Sequence, residues 1–319
     1  MSGPQLNGWI ILDKPVGIGS TSCVGAVKRV LRQAGVPKTK VGHGGTLDPL
    51  ASGVLPIALG EATKLCGRML DATKAYEFTI EFGIETDTLD AEGTAVERST
   101  VRPSWRDVEA VLPRFTGEIE QVPPTYSALK VSGKRAYDLA RAGELVELTS
   151  RRTTIHSLLP LEAADIDGAT QEEPGELTLA ASVSKGTYIR SLARDIARAL
   201  GTVGHVTMLR RTRAGPFTLE QAISLDFLEE AAKARTLDGA VLPLVAGLDD
   251  IPALPVSSHE AQLLRHGQKL PGPPAQGPRR SSTSMGPQAG LYLATDDDRP
   301  VALVEASPDG LKVVRGFNL

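Results

Sequence analysis

Ala75-Tyr76-Glu77-Phe78-Thr79-Ile80-Glu81-Phe82 alternates with a period of two, which sets Tyr76, Phe78, Ile80 and Phe82 on one face of an extended chain and Glu77, Thr79 and Glu81 on the other. It is the plainest strand in the sequence. Tyr76 falls on the inner face, either as a core aromatic with a satisfied hydroxyl or as a phenol at a site. Working outward, residues 8–13 (GWIILD), 54–59, 152–159, 176–184 and 204–213 read as further strands, the last stopped by Gly215-Pro216. Helices lie between them. Ser22 is a suitable N-cap for Val24, Val27, Val30, Leu31 and Ala34 at helical spacing, with Gly35 before Pro37 as the stop. Residues 61–70 form a second helix, and Ser104 caps a third that carries Val108, Val111, Leu112 and Phe115. Ile189, Leu192, Ala193, Ile196 and Leu200 stripe a fourth, which leaves Arg190, Arg194 and Arg198 on an adjacent face. Strands outnumber helices and many neighbours are joined by short turns. The expected fold class is α+β: a large, mainly antiparallel mixed sheet flanked by helices.

At 319 residues the chain is long enough for about two domains. Composition shifts over the proline-containing residues 241–255, which divides the sequence into a large unit, 1–248, and a small one, 249–319. The small unit reads as a helix over 258–266 and strands over 291–294, 301–306 and 311–316. Between them lies a flexible Pro/Gly/Ser-rich loop, 271–290. No apolar run is long enough to span a membrane and the start has no signal-peptide pattern, so a cytoplasmic protein is expected. Cys23 and Cys66 are far apart and form no Cys-x-x-Cys pair, which indicates neither a disulfide framework nor a zinc site.

Net charge is only −3, but it is unevenly spread. Lys14, Lys28, Arg29, Arg32, Lys38 and Lys40 precede Leu47 with no acidic residue among them. Lys185, Arg190, Arg194, Arg198, Arg210, Arg211 and Arg213 face only Asp195 in their segment. Acids gather elsewhere, as over 85–92 and 296–298 and in an acidic loop over 163–175. Such segregation suits a polyanion on one face, or else solvated helix surfaces.

Chemistry is expected at Gly42-His43-Gly44-Gly45-Thr46-Leu47-Asp48-Pro49-Leu50. Its glycines let the backbone approach a ligand closely, and Pro49 biases Asp48 towards extended geometry, so the loop can aim a carboxylate. A surface turn uses the same residues, and context has to decide. The earlier Gly-rich turn, 15–19, lacks the Gly-Lys-Ser/Thr end of a phosphate loop and the third glycine of a dinucleotide fingerprint, which excludes nucleotide cofactors there. The histidines are dispersed without His-x-x-x-His spacing, and no Gly-x-Ser-x-Gly elbow occurs. What remains is carboxylate nucleophilic or acid/base chemistry without a metal, around Asp48, His43, Tyr76 and the basic helix start Lys185-Gly186-Thr187-Tyr188-Ile189-Arg190. Residues 121–143 break the regularity: Pro123-Pro124-Thr125-Tyr126-Ser127 is followed by Lys130, Lys134, Arg135 and Arg141, a mobile basic arm suited to a nucleic-acid backbone.

Gly42-His43 through Asp48-Pro49-Leu50-Ala51-Ser52-Gly53-Val54-Leu55-Pro56, with Gly60-Glu61-Ala62-Thr63-Lys64, closely resembles the defining motif of the TruB family of tRNA pseudouridine synthases. Lys14-Pro15-Val16-Gly17, Lys74-Ala75-Tyr76, the stretch 122–129 and Ser184-Lys185-Gly186-Thr187-Tyr188-Ile189-Arg190 match in the same order. Gly44 departs from the family, which often has threonine there. The resemblance implies the pseudouridine synthase fold, a PUA-like C-terminal domain, and isomerisation of uridine 55 in the tRNA T-loop without cofactor or metal. It implies Asp48 as nucleophile, Tyr76 stacked on a flipped-out uracil and Arg190 paired with Asp48. It also implies His43 holding the opened loop, and Tyr188 and Leu209 lining the uridine pocket. Lys64, Lys130, Lys134, Arg135, Arg141, Arg210 and Arg211 are the expected contacts to the RNA backbone. The expected partner is the T-arm of tRNA, bound by a monomer with no guide RNA. A non-catalytic RNA-binding or tRNA-folding factor on the same scaffold, or a guide-RNA-dependent synthase, is the alternative.

Overall fold

The computed structural model describes residues 6–127, 129–131, 133–143, 148–161, 174–271 and 288–319. The first elements are β1 (Gly8–Lys14), α1 (Ser20–Gln33), β2 (Val41–His43), β3 (Ser52–Leu59), α2 (Cys66–Asp71) and β4 (Lys74–Phe82). β5 (Ile84–Thr86), β6 (Ala95–Arg98), α3 (Trp105–Val111) and β7 (Gly117–Gln121) follow. A small hairpin of β8 (Lys130–Val131) and β9 (Lys134–Arg135) leads into α4 (Ala136–Arg141). Then come β10 (Arg151–Pro160), β11 (Glu176–Val183), α5 (Ile189–Ala199), β12 (Gly204–Ala214), β13 (Phe217–Thr218), α6 (Leu225–Ala234) and β14 (Leu242–Pro243). The C-terminal part is β15 (Ala253–Pro255), α7 (Ser258–Arg265), β16 (Leu270–Pro271), β17 (Gly290–Asp296), β18 (Arg299–Ser307) and β19 (Gly310–Gly316). Most of the Pro/Gly/Ser-rich loop 271–290 and of the acidic loop 163–175 lies outside the described residues, as do the side chains of Lys130, Lys134, Arg135 and Arg141.

One ten-stranded sheet runs in the order β14-β1-β3-β12-β4-β11-β10-β7, with β2 joined to β3 and β13 to β12. Its joins are antiparallel except one. Between β3 and β12, Ser52 and Gly53 pair in parallel with Arg210 and Arg211. This seam divides the sheet into halves that are covered differently. In β1 and β3, Ile10, Leu12, Leu55 and Ile57 pack under α1 and α6. Trp9, Ile11, Val54 and Ala58 pack on the opposite face with Phe217 and with Leu293, Leu303 and Phe317 of the C-terminal part. Strands buried on both faces are apolar throughout, as GWIIL is. β4 is apolar on one face only: Phe78, Ile80 and Phe82 pack with Leu192 and Ile196 of α5, while Thr79 on the other face meets Thr178 Oγ1 at 2.9 Å. Each such fully buried side chain contributes about 1.5–3 kcal/mol, enough for the alternation to fix the register. Tyr76 and Leu209 touch both cores, and so mark the place where the halves meet.

The C-terminal strands form a separate five-stranded β domain, β15-β17-β18-β19-β16, around Ala261, Leu264, Val301 and Val304. It is tied to the large sheet by more than apolar contact. Lys64 Nζ donates to Gly316 O (2.8 Å), and Asn318 N donates to Glu61 Oε2 (2.8 Å). No helix among the described residues is long and apolar enough to cross a membrane.

Three local expectations need correction. α1 starts at Ser20 with the extended Gly19 as its N-cap, which puts Ser22 inside the first turn, and no side chain caps it. The helix expected over 61–70 is a 3₁₀ turn, Gly60–Leu65, continued by the short α2. α6 has no counterpart in the sequence reading, although Ser224 caps it and Leu228, Ala231 and Ala232 repeat at helical spacing.

Candidate active site

Asp48 opens a turn in which Ala51 N donates to Asp48 O (3.1 Å), with Pro49 at the position where a fixed φ near −65° is wanted. The loop around it is held from four elements. From β3, Pro56 O accepts Gly44 N (2.8 Å). At the start of α1, Ser20 Oγ accepts Leu47 N (2.8 Å) and donates to Leu47 O (3.0 Å). Lys14 Nζ at the end of β1 donates to Pro49 O (3.1 Å), as does Gly17 N (2.9 Å). From β12, the Arg211 guanidinium reaches Gly45 O (3.3 Å) and Thr46 O (3.4 Å). A buried backbone left without partners would be costly, and here nearly every turn of the loop has one.

Arg190, in the first turn of α5, is the hub of the charges. Its Nη2 lies 2.9 Å from Asp48 Oδ2 and its Nη1 lies 3.2 Å from Asp90 Oδ2. It also donates to Thr88 O (2.7 Å) and Tyr126 O (2.9 Å). The Arg190 side chain is 7% exposed and that of Asp48 40%. The guanidinium is therefore a buried fixture, whereas the carboxylate is open to a ligand. Asp90 was invisible to sequence reasoning except as part of an acidic turn. It is buried, accepts from Thr88 Oγ1 (2.5 Å) and Glu92 N (3.1 Å), and follows Leu89, which sits at φ 63°.

Asp48, Tyr76, Tyr188, Arg190 and Leu209 line one cavity of about 450 Å³ at the seam of the sheet, together with Lys74, Arg151 and Lys185. Its size suits a small ligand or a single nucleoside. His43, on β2, lies outside that lining. Burial, helped by the Arg211 charge, holds its imidazole below the usual range, so it is neutral at pH 7. Burial and then the Arg211 charge also pull Lys74 from 10.5 to about 8. Its ammonium donates to Leu70 O (2.5 Å) and Ala72 O (2.6 Å). Among the described residues no group of three or more His, Cys, Asp or Glu is placed to hold a metal ion.

Arg211 is the clearest correction among the expected RNA contacts. Adjacent strand residues point to opposite faces. Arg210 consequently pairs with Asp13 on one side (2.8 Å), while Arg211 turns inward, 1% exposed, and donates to Val54 O (2.7 Å) as well as to the Asp48 loop. Lys64 is also engaged, with Glu61 Oε2 (2.6 Å) and Gly316 O.

A family model described as TruB family pseudouridylate synthase (N terminal domain) matches residues 28–189, and one described as tRNA pseudouridylate synthase B C-terminal domain matches 190–249. The chain belongs to the TruB family. It is a pseudouridine synthase, an isomerase. A protein of Novosphingobium aromaticivorans named tRNA pseudouridine synthase B is 60% identical over 99% of this chain and 98% of its own length. One of the same name from Zymomonas mobilis is 56% identical over 98% of this chain and 96% of its own. Among solved structures, an H/ACA RNP bound to a substrate RNA containing 2′-deoxyuridine contains a similar chain (TM-score 0.70, 25% identity, 98% of this chain and 85% of that one). A Cbf5-Nop10-Gar1 complex contains another (TM-score 0.69, 26% identity, 97% and 84%). The TruB cavity is thus built across the parallel seam, by the loop before β3 and the start of α5.

Proposed function

We propose that this TruB-family enzyme isomerises uridine 55 in the T-loop of tRNA to pseudouridine, with Asp48 as the nucleophile. The observation that carries the reading is the Asp48–Arg190 pair: a ligand-accessible carboxylate 2.9 Å from a buried guanidinium, at the wall of a nucleoside-sized cavity. The name shared by the relatives, tRNA pseudouridine synthase B, supports the substrate class. The buried guanidinium also fixes the orientation of the carboxylate through a charge-assisted hydrogen bond. Extruding a base from a loop costs a few kcal/mol, less than from a duplex. Tyr76 then stacks on the uracil, Tyr188 and Leu209 enclose it, and neutral His43 supports the opened loop. Asp48 attacks the nucleoside, the N1–C1′ bond breaks, the uracil turns, C5 joins C1′ and the bond to Asp48 breaks, which frees its carboxylate. The proton lost from C5 is matched by one gained at N1, so the reaction consumes nothing else and needs no cofactor. Lys130, Lys134, Arg135 and Arg141 of the 121–143 arm and the PUA-like C-terminal domain contact the T-arm, and the protein acts as a monomer without guide RNA.

Tritium release from C5-labelled uridine in a T-arm hairpin tests this with the isolated protein. Wild type should turn over, and Asp48→Asn should lose roughly 10⁴-fold or more while still binding the hairpin. Near-wild-type release by Asp48→Asn would sink the nucleophile assignment. Tight binding without release by wild type would favour an RNA-binding factor or a missing partner.

A further inference from the structure

After Trp9, Arg211 is the largest fully buried side chain among the described residues, and the reaction as proposed gives it nothing to do. We propose that Arg211 is a positioning residue that sets where Asp48 stands, by clamping the two chain segments on either side of it. Its Nη1 and Nη2 donate to Thr46 O and Gly45 O, upstream of Asp48, and its Nε donates to Val54 O, downstream. No ion pair with a carboxylate competes for it among the described residues. The clamp sits at a thinly paired join of the sheet. The parallel seam joins β3 to β12 through only two residue pairs, Ser52–Arg210 and Gly53–Arg211. Gly53 lies at φ 99°, and a Cβ there would meet Arg211 O at 2.2 Å, so the backbones are in closest approach just where the side chain reaches over. A planar guanidinium can serve two segments at once, which a lysine ammonium on a flexible stem cannot do with the same geometry. The inference rests on Asp48 being the reacting carboxylate. The Asp48→Asn control reports failure of that reading separately.

The test uses the full chain with Arg211→Lys and Arg211→Gln, read by single-turnover tritium release, hairpin dissociation constant and amide exchange. Displacement of a reacting group by about 1 Å costs about 10²-fold, and that loss of rate is expected in both variants with hairpin affinity within about threefold of wild type. Amide exchange over residues 44–48 should rise about tenfold, as loss of stabilising hydrogen bonds predicts, while α3 and α7 exchange as in wild type. In Arg211→Gly the cavity-lining vacancy should accept free guanidinium, which should recover part of the rate, and in Asp48→Asn it should recover none. Should one variant fail to fold, the other decides. A rate within threefold of wild type, unchanged exchange over 44–48, or parallel loss of rate and affinity would each overturn the assignment.

Discussion

Two stretches of this chain carry the same compositional signal, and the fold uses them in opposite ways. In the segment from Lys185 to Arg213 most charges are met by acids or turned inward: Arg190 meets Asp48 and Asp90, Arg194 meets Asp195, the half-exposed Arg198 meets Glu85 and Arg210 meets Asp13, while Arg211 is buried among carbonyls. In the segment from Lys14 to Lys40 only Lys14 is buried. Lys28, Arg32, Lys38 and Lys40 are exposed and have no ion pair among the described residues. A basic run in a sequence therefore does not locate a polyanion surface. Strand alternation, and acids brought from elsewhere in the chain, can absorb most of it.

If the inward charges are structural and catalytic, their loss must cost far more than loss of the outward ones. Arg190→Leu leaves Asp90 buried and uncompensated, and should destabilise the fold by about 3–5 kcal/mol in urea titration and abolish release. A denaturation midpoint like that of wild type would break the comparison. Lys74 comes next. It is charged up to about pH 10.5 in the unfolded chain but only to about 8 in the fold, so between those values the unfolded state binds more protons. Its contribution should make stability rise from pH 8 to 10.5, by on the order of 3 kcal/mol, and Lys74→Met should remove that rise. An identical pH dependence in the variant would contradict the burial argument. Ser20→Ala leaves the N–H and C=O of Leu47 without their partner and should cost about 1–3 kcal/mol by thermal denaturation, with a larger loss of rate than of hairpin affinity. The smallest effect belongs to the exposed set. Lys28→Gln with Arg32→Gln should leave stability within about 0.5 kcal/mol. Where these residues meet RNA phosphates, each removal should reduce the slope of log affinity against log salt by about 0.7–0.9. A drop in single-turnover rate at saturating hairpin would instead move them into the inward class.

Much of the fold could be read from local pattern. The period-two run at 75–82, the two-faced apolar run at the start and the stripe of α5 each became the element expected, because burial of one face or both dictates the spacing. The separate β-rich C-terminal part followed from its strand runs. The missed features share a different cause. Ser20 carries no signal of its own, Lys14 reads like a solvent-facing cation and Arg211 like a phosphate contact. Each is in fact a brace on the Asp48 loop from an element remote in sequence. Asp90 reads as one acid in a turn of several, and only the position of Arg190 distinguishes it.

By itself the sequence determined most of the strands and helices, the α+β class, and a loop able to aim a carboxylate, since these depend on residue spacing and on the φ/ψ preferences of glycine and proline. Tertiary structure alone decided which charges face solvent, that the sheet is broken by one parallel seam, and that Asp48, Tyr76, Tyr188, Arg190 and Leu209 share one cavity there. The reason is physical: hydrogen bonds and ion pairs between distant segments depend on strand order, and strand order is fixed by packing the two cores together rather than by any local stretch of chain.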